Sequence, residues 1–183
     1  MLGALALSGW ARAREPLPVK LDDALWQDTL RARGIVVGSP AAPPFYVFFD
    51  PNCPYCARLW STPLPADLGG QMSNYPAIWV PVAYLKTSSY ERAVTILLRG
   101  NAKALSLNFE SGLDESVEEG SLAPLGPLLS ERLTLDLNFR IWKGIAQASP
   151  LMVWRMRSAQ LPVRWMGLPS PHKLETFLRD VAA

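Results

Sequence analysis

Residues 45–60, FYVFFDPNCPYCARLW, join five consecutive apolar residues to a Cys-Pro-Tyr-Cys string that opens an amphipathic stretch. The run Phe45–Phe49 has no polar face, so it predicts a strand buried on both sides, as at the centre of a parallel sheet. A strand of that kind has to be covered from above and below, which points to a layered α/β architecture. Cys53 and Cys56 are the only two cysteines in the chain. A single CxxC set where a strand ends and a helix begins reads as a redox pair rather than a staple.

Position dictates the chemistry expected of the pair. Cys53 is a candidate N-cap, and Pro54 a candidate first helical residue, where its missing N–H costs nothing. The first-turn N–H groups then point toward the Cys53 sulfur, and the positive end of the helix dipole favours a thiolate there. That lowers the thiol pKa below about 8.5 and makes Cys53 the attacking nucleophile. Cys56 follows one turn later on the same face, more buried and within disulfide reach, placed to resolve a mixed disulfide by attacking Cys53. Tyr55 between them is a candidate wall for a client cleft.

Three plainer readings carry less weight. A structural disulfide over so short a loop removes little entropy from the unfolded chain. A structural zinc site needs four ligands, whereas the chain offers two cysteines and the distant His172, so no metal is expected. Two inert buried thiols would not call for Pro54 and a helix start. No cofactor is expected beyond the Cys53–Cys56 disulfide itself.

Composition narrows the partners. The formal net charge of +2 gives no reason to invoke nucleic acid or an anionic membrane. Seven tryptophans are many for 183 residues, but no basic stripe interleaves them, so they read as core and cleft walls. Near the start, the apolar run Leu2–Leu7 is followed by Ala11-Arg12-Ala13, which resembles the end of a secretory signal over residues 1–13. Nothing later approaches the roughly 20 apolar residues of a membrane span. Export would place the CxxC in an oxidising compartment, the periplasm in a bacterium.

Residues 14–44 read as a tether and helix. Arg14–Lys20 is extended, and Leu21–Arg33 is helical with Gly34 as its stop. Ile35–Val37 is a short strand, and Ser39–Pro44 a proline-rich connector. The helix from Pro54 should run to about Trp60. Ala77–Leu85 is a second strand, in which Pro81 implies an edge or a bulge. Ser89–Leu98 reads as a helix. Glu110–Glu119, with five carboxylates in ten residues, reads as a solvated loop or helix surface. Pro127–Ala146 reads as a long helix, with Leu129, Leu133, Leu137, Ile141 and Ile145 recurring every four residues. Leu151–Met156 and Leu161–Gly167 make a hairpin around Arg157–Gln160. A last helix over His172–Val181 follows the start signal Ser170-Pro171, and its His172 reads as a solvated surface residue.

The order of elements resembles the thioredoxin arrangement: an α/β fold with a central mixed sheet, split into a βαβ half and a ββα half. The catalytic domain would span residues 45–183, with a mostly helical insertion over about 86–148 capping the active-site side. In that arrangement Ser149-Pro150 faces the CxxC and its proline is cis. A cis peptide is accessible mainly before proline, and here it frees the backbone beside it to pair with an extended peptide.

The string Phe48-Phe49-Asp50-Pro51-Asn52-Cys53-Pro54-Tyr55-Cys56, then Ser149-Pro150, then Gly167-Leu168-Pro169, carries a more specific likeness. From Phe45 onward the chain resembles the DsbC/DsbG group of periplasmic thiol:disulfide interchange proteins, the DsbG side most closely. The resemblance implies disulfide exchange in exported proteins, by reduction or isomerisation, and reduction of cysteine sulfenic acids. Cys53 would be the nucleophile, Cys56 the resolving cysteine and Ser149-Pro150 the substrate-binding loop. The clients implied are unfolded or misoxidised exported proteins, with a DsbD-like membrane protein as electron donor. Two departures stand out. The N-terminal dimerisation domain of that group has no counterpart here, which implies a monomer. The residue before the proline is Ser149 where the group usually has Thr. The alternatives are a DsbA-like net oxidase and a thioredoxin-fold binding or assembly factor that needs no turnover.

Overall fold

Twenty-four of the strand residues predicted above meet in one sheet, and their side-chain alternation sets the layers. The computed structural model describes residues 17–39, 44–110 and 129–182. The Leu2–Leu7 run, Ala11–Ala13, the first residues of the tether and positions 111–119 of the acidic segment lie outside the described residues. In chain order the elements are β1 (Val19–Lys20), α1 (Asp23–Thr29), β2 (Ile35–Val37), β3 (Tyr46–Phe49), α2 (Pro54–Trp60), β4 (Ala77–Pro81), α3 (Thr87–Arg99), α4 (Ala102–Phe109), α5 (Leu129–Ile145), β5 (Leu151–Met156), β6 (Leu161–Met166) and α6 (Pro171–Ala182). The six-stranded sheet has the order β1-β6-β5-β3-β4-β2. Strands β3 and β4 are parallel, and the other pairings are antiparallel.

β3 is the axis. All four of its residues are buried. Val47 and Phe49 face one layer with Cys56, Leu59 and Trp60 of α2 and with Leu174, Phe177 and Leu178 of α6. Tyr46 and Phe48 face the other layer with Trp26 of α1 and with Ile141, Trp142 and Ile145 of α5. The two-residue period of a strand sorts one unbroken apolar run into two cores. The six tryptophans among the described residues are all buried, and Trp60 packs edge-on against Trp79 at 4.9 Å.

Three elements differ from their sequence expectation for reasons the geometry supplies. Pro81 does not mark an edge, since β4 lies between β3 and β2. The N–H groups of Ile78 and Val82 bond to β3 at Phe45 O and Phe49 O, so the nitrogen of Pro81 faces the β2 side. β2 pairs no further along β4 than Trp79, so no ladder donor is missing there. Buried Asn138 of α5 closes the gap, bonding Arg33 N and O at 3.0 and 2.7 Å and donating to Pro81 O at 3.2 Å. Beyond Pro81 the chain leaves the strand, so the predicted run to Leu85 is too long.

The four-residue stripe on α5 also fails in its first half. Each step of four residues overshoots a turn by about 40°. Leu129 and Leu133 have accordingly rotated out to solvent, while Leu135, Asn138, Ile141, Trp142 and Ile145 form the buried face. The end of the tether is not free either: Val19 and Lys20 pair with Arg164 and Val163 as an added edge strand.

Candidate active site around Cys53 and Cys56

The site begins where β3 ends. Asp50, Pro51 and Asn52 carry the chain from the sheet to α2, and all three are buried. The Asp50 carboxylate is the hub of this turn. Oδ1 accepts Asn52 N at 2.9 Å and the Ser89 hydroxyl at 2.7 Å, and Oδ2 accepts Tyr84 N at 2.8 Å and Leu85 N at 3.0 Å. A buried carboxylate is tolerated only when its lone pairs are met in this way. Asn52 donates to Ser88 and Ser89 at the start of α3, each at 3.0 Å, and Asn108 of α4 donates to Pro51 O at 2.8 Å. Helices α3 and α4 therefore clamp the turn that presents the cysteines.

Cys53 is the N-cap of α2, in an extended conformation, with Pro54 in the first turn. Its carbonyl accepts from Cys56 N and Ala57 N, which closes the first turn of the helix. Both cysteines are free thiols, Cys53 at 3 % exposure and Cys56 at 0 %. Tyr55 between them is 53 % exposed and stands at the rim, with Arg58 over its ring at 5.7 Å. Across the site the Ser149–Pro150 bond is cis, and the Cys53 thiol donates to Ser149 O at 3.5 Å. Gly167 N bonds Pro150 O at 2.8 Å, so exposed Met166 and Leu168 stand beside this loop. His172 is exposed on α6, away from these groups.

One proton separates the two thiols in acidity. The Cys56 S–H donates to the Cys53 sulfur, which lowers Cys53 to about 7 against the opposing effect of burial. Ser149 and the amides of Cys56 and Tyr55 add to this, the amides through their field rather than as a capping hydrogen bond. The same contact acts in reverse on Cys56, whose thiol is raised well above its usual value, chiefly by complete burial. The pair is thus one thiol that ionises near neutral pH beside a partner that holds its proton.

This split has a consequence for stability that can be measured. Cys53 ionises more readily in the folded chain than in the unfolded one. Its stabilising contribution is therefore full above the usual thiol value of 9.0 and is lost as pH falls through about 7. Cys56 has the opposite sign and weakens the fold above that usual value, where only the unfolded chain has released the proton. Denaturant unfolding of the reduced protein should show a gain of about 2 kcal/mol between pH 7 and pH 9, then a decline. Cys53→Ser should lack the gain; equal slopes in the two proteins would mean that Cys53 is not acidified.

Two site residues carry no sequence signature. Tyr84, inside the predicted strand, instead lies in the turn after β4 and places its hydroxyl 2.7 Å from Ser149 Oγ. Its ring stacks on Trp142 at 4.5 Å, and Trp142 Nε1–H donates to Ala148 O at 2.7 Å. These two aromatics brace the Ser149–Pro150 loop from the insertion side. The proximity of Asp50 to the CxxC in sequence was the only available hint of the clamp, because its partners lie more than thirty residues away. Among the described residues no cluster of His, Cys, Asp and Glu could hold a metal ion. No described helix is long and apolar enough to cross a membrane.

Comparison with known proteins agrees with this architecture. No family model matches the sequence. The chain is similar to the thiol:disulfide interchange protein DsbG of Pseudomonas aeruginosa, 24 % identical over 176 residues, covering 91 % of this chain and 64 % of that protein. It therefore spans under two thirds of that relative's length. Among solved structures it resembles a periplasmic thioredoxin-like protein from Salmonella enterica serovar Typhimurium. There the TM-score is 0.55 and the identity 16 %, over 90 % of this chain and 100 % of the other. A linker-deletion mutant of Proteus mirabilis ScsC gives a TM-score of 0.48 at 18 % identity, over 87 % of this chain and 78 % of the other. The chain thus has a thioredoxin-like fold and is similar to DsbG along nearly its whole length.

Proposed function

We propose that the protein is a thiol:disulfide oxidoreductase acting on exported proteins in the periplasm through Cys53 and Cys56. The observation that carries this reading is the opposite displacement of the two thiols, Cys53 to about 7 and Cys56 upward. A thiolate available at neutral pH attacks a client disulfide, and a buried thiol held protonated attacks only afterwards, which is the order that exchange requires. The DsbG relative supports the same chemistry.

In the forward step the Cys53 thiolate attacks one sulfur of a client disulfide, and the other client sulfur leaves as a thiolate. Cys56 then displaces the client from Cys53, so the client disulfide is reduced by two electrons and the CxxC is oxidised. Attack by a client thiol on the mixed disulfide instead gives isomerisation. The clients are unfolded or misoxidised exported proteins, and a low-pKa thiolate also suits reduction of a cysteine sulfenic acid. Exposed Tyr55, Tyr84, Met166 and Leu168 give an extended peptide an apolar rim, and the Ser149-Pro150 loop offers it a backbone edge. Turnover in the reductive direction needs a DsbD-like electron donor.

The test is the equilibrium of the pair with glutathione. A reversible Cys53–Cys56 disulfide is expected. A potential near about −120 mV would make the protein a net oxidant of the DsbA kind, and one near about −270 mV a dedicated reductase. Absence of any reversible disulfide would overturn the enzymatic reading and leave a binding or assembly factor.

A further inference from the structure

The reaction centre is assembled from two pieces of chain 96 residues apart, Cys53 at the start of α2 and Ser149 in the loop before β5. The direct contact between them is long, the Cys53 thiol donating to Ser149 O at 3.5 Å. A peptide client has to engage both pieces at once, its sulfur against Cys53 and its extended backbone along the loop. The spacing between the two pieces therefore decides whether a peptide fits.

Tyr84 is tied to both. Its N–H donates to Asp50 Oδ2 at 2.8 Å, in the turn that carries Cys53, and its hydroxyl shares a 2.7 Å hydrogen bond with Ser149 Oγ. Its ring stacks on Trp142, with centroids 4.5 Å apart and planes 25° from parallel, and Trp142 Nε1–H donates to Ala148 O at 2.7 Å. Gly167 N–H holds the far end of the loop, at Pro150 O. Ala148, Ser149 and Pro150 are thus each held from outside the loop. We propose that Tyr84 is a positioning residue that, through its bond to Ser149 Oγ, keeps the Ser149-Pro150 loop at the distance from Cys53 that an extended peptide requires, and so favours peptide disulfides over small ones. This rests on the disulfide-exchange reading above.

The hydroxyl is what makes the tie, because a bare ring would pack on Trp142 without fixing Ser149. It is aimed by the stack on one side and by the backbone bond to Asp50 on the other. Burial pushes Tyr84 up to about 12 despite the Ser149 hydrogen bond, so the hydroxyl stays neutral wherever the thiols exchange, and the tie persists. A loop released from this tie is correctly placed for only part of the time, and apparent affinity for a peptide falls by that fraction. A small disulfide has no backbone to lay along the loop and needs only the Cys53 sulfur, so it feels the loss far less.

The reduced protein is mixed with an unstructured peptide carrying one internal disulfide and, separately, with dithiobis(nitrobenzoate), and the rate of oxidation by each is followed. In Tyr84→Phe the ratio of peptide rate to small-disulfide rate should fall about fivefold, the worth of one typical hydrogen bond. The loss should fall on the half-saturating peptide concentration rather than on the limiting rate. Phenylalanine keeps the stack on Trp142, and equal thermal midpoints check the fold. Made in a Ser149→Ala background, the same substitution should move the ratio by less than about twofold, because no Oγ is left to hold. A ratio within about twofold of the parent in Tyr84→Phe alone would overturn the proposal while leaving exchange intact. So would an undiminished loss in the Ser149→Ala background, which would mean that Tyr84 acts on the client directly. A parent protein that reacts with neither disulfide would overturn the exchange reading and the positioning role with it.

Discussion

Cys56→Ser should convert the protein from a turnover catalyst into a trap. Cys53 keeps its place at the N-terminus of α2 and still attacks, but the nucleophile that would release the client is gone. An intramolecular attacker held one turn away is worth an effective molarity of about 10⁵ M or more. Replacing it by free thiols at millimolar concentration should lengthen the life of the mixed disulfide by at least about a thousandfold. Non-reducing gels of cells expressing the variant should show discrete high-mass bands that collapse on reduction and that Cys53→Ser lacks. Part of the acidity of Cys53 is lost as well, because the Cys56 thiol is the first cause of its depression. First attack should therefore slow at pH 6 to 7 and recover at alkaline pH. A variant that turns over clients at the parental rate would remove Cys56 from the mechanism.

Asp50→Ala should be the most damaging change outside the cysteines. It leaves Asn52 N, Tyr84 N, Leu85 N and the Ser89 hydroxyl without their acceptor in a region where Asp50, Asn52 and Ser89 are all 0 % exposed. Stranded buried donors cost about 1–3 kcal/mol each, and partial entry of water keeps the sum below simple addition, so a loss of about 3–5 kcal/mol is expected. Urea unfolding of the oxidised form measures this free of the thiol titrations. The variant should also alkylate Cys53 more slowly at neutral pH, since the turn that aims the sulfur is no longer tied to α3. A loss under about 1 kcal/mol would show that the turn is held by packing alone.

The parts of this site that were legible in the sequence are those encoded by neighbours. Phe45–Phe49 announces a doubly buried strand, Pro54 a helix start, and Arg157–Gln160 a hairpin turn, because each depends on residues within a few positions. The parts that were not legible depend on where distant elements stop. Pro81 is harmless only because β2 ends before reaching it, and Asn138, far along the chain, covers the gap. Helix α4 lies in a region whose sequence predicts only a mostly helical insertion, yet it supplies the Asn108 that holds Pro51. The apolar run that continues through Tyr84 predicts strand there, whereas its backbone turns away to meet Asp50. The leucine stripe of α5 misled in its first half because a repeat of four only approximates a turn of 3.6.

The clamp on the Asp50–Asn52 turn changes what can be grafted onto this scaffold. A helical insertion is often treated as a removable ornament, to be trimmed for a minimal enzyme or exchanged to retarget one. Here Ser88, Ser89, Asn108 and Trp142 reach back from it to both halves of the reaction centre. Joining Tyr84 directly to Ser149 would keep the sheet and both sulfurs but detach the turn that orients them. The outer faces of α3 to α5 can therefore be altered without touching these contacts, whereas wholesale exchange of those helices would dismantle the site they hold.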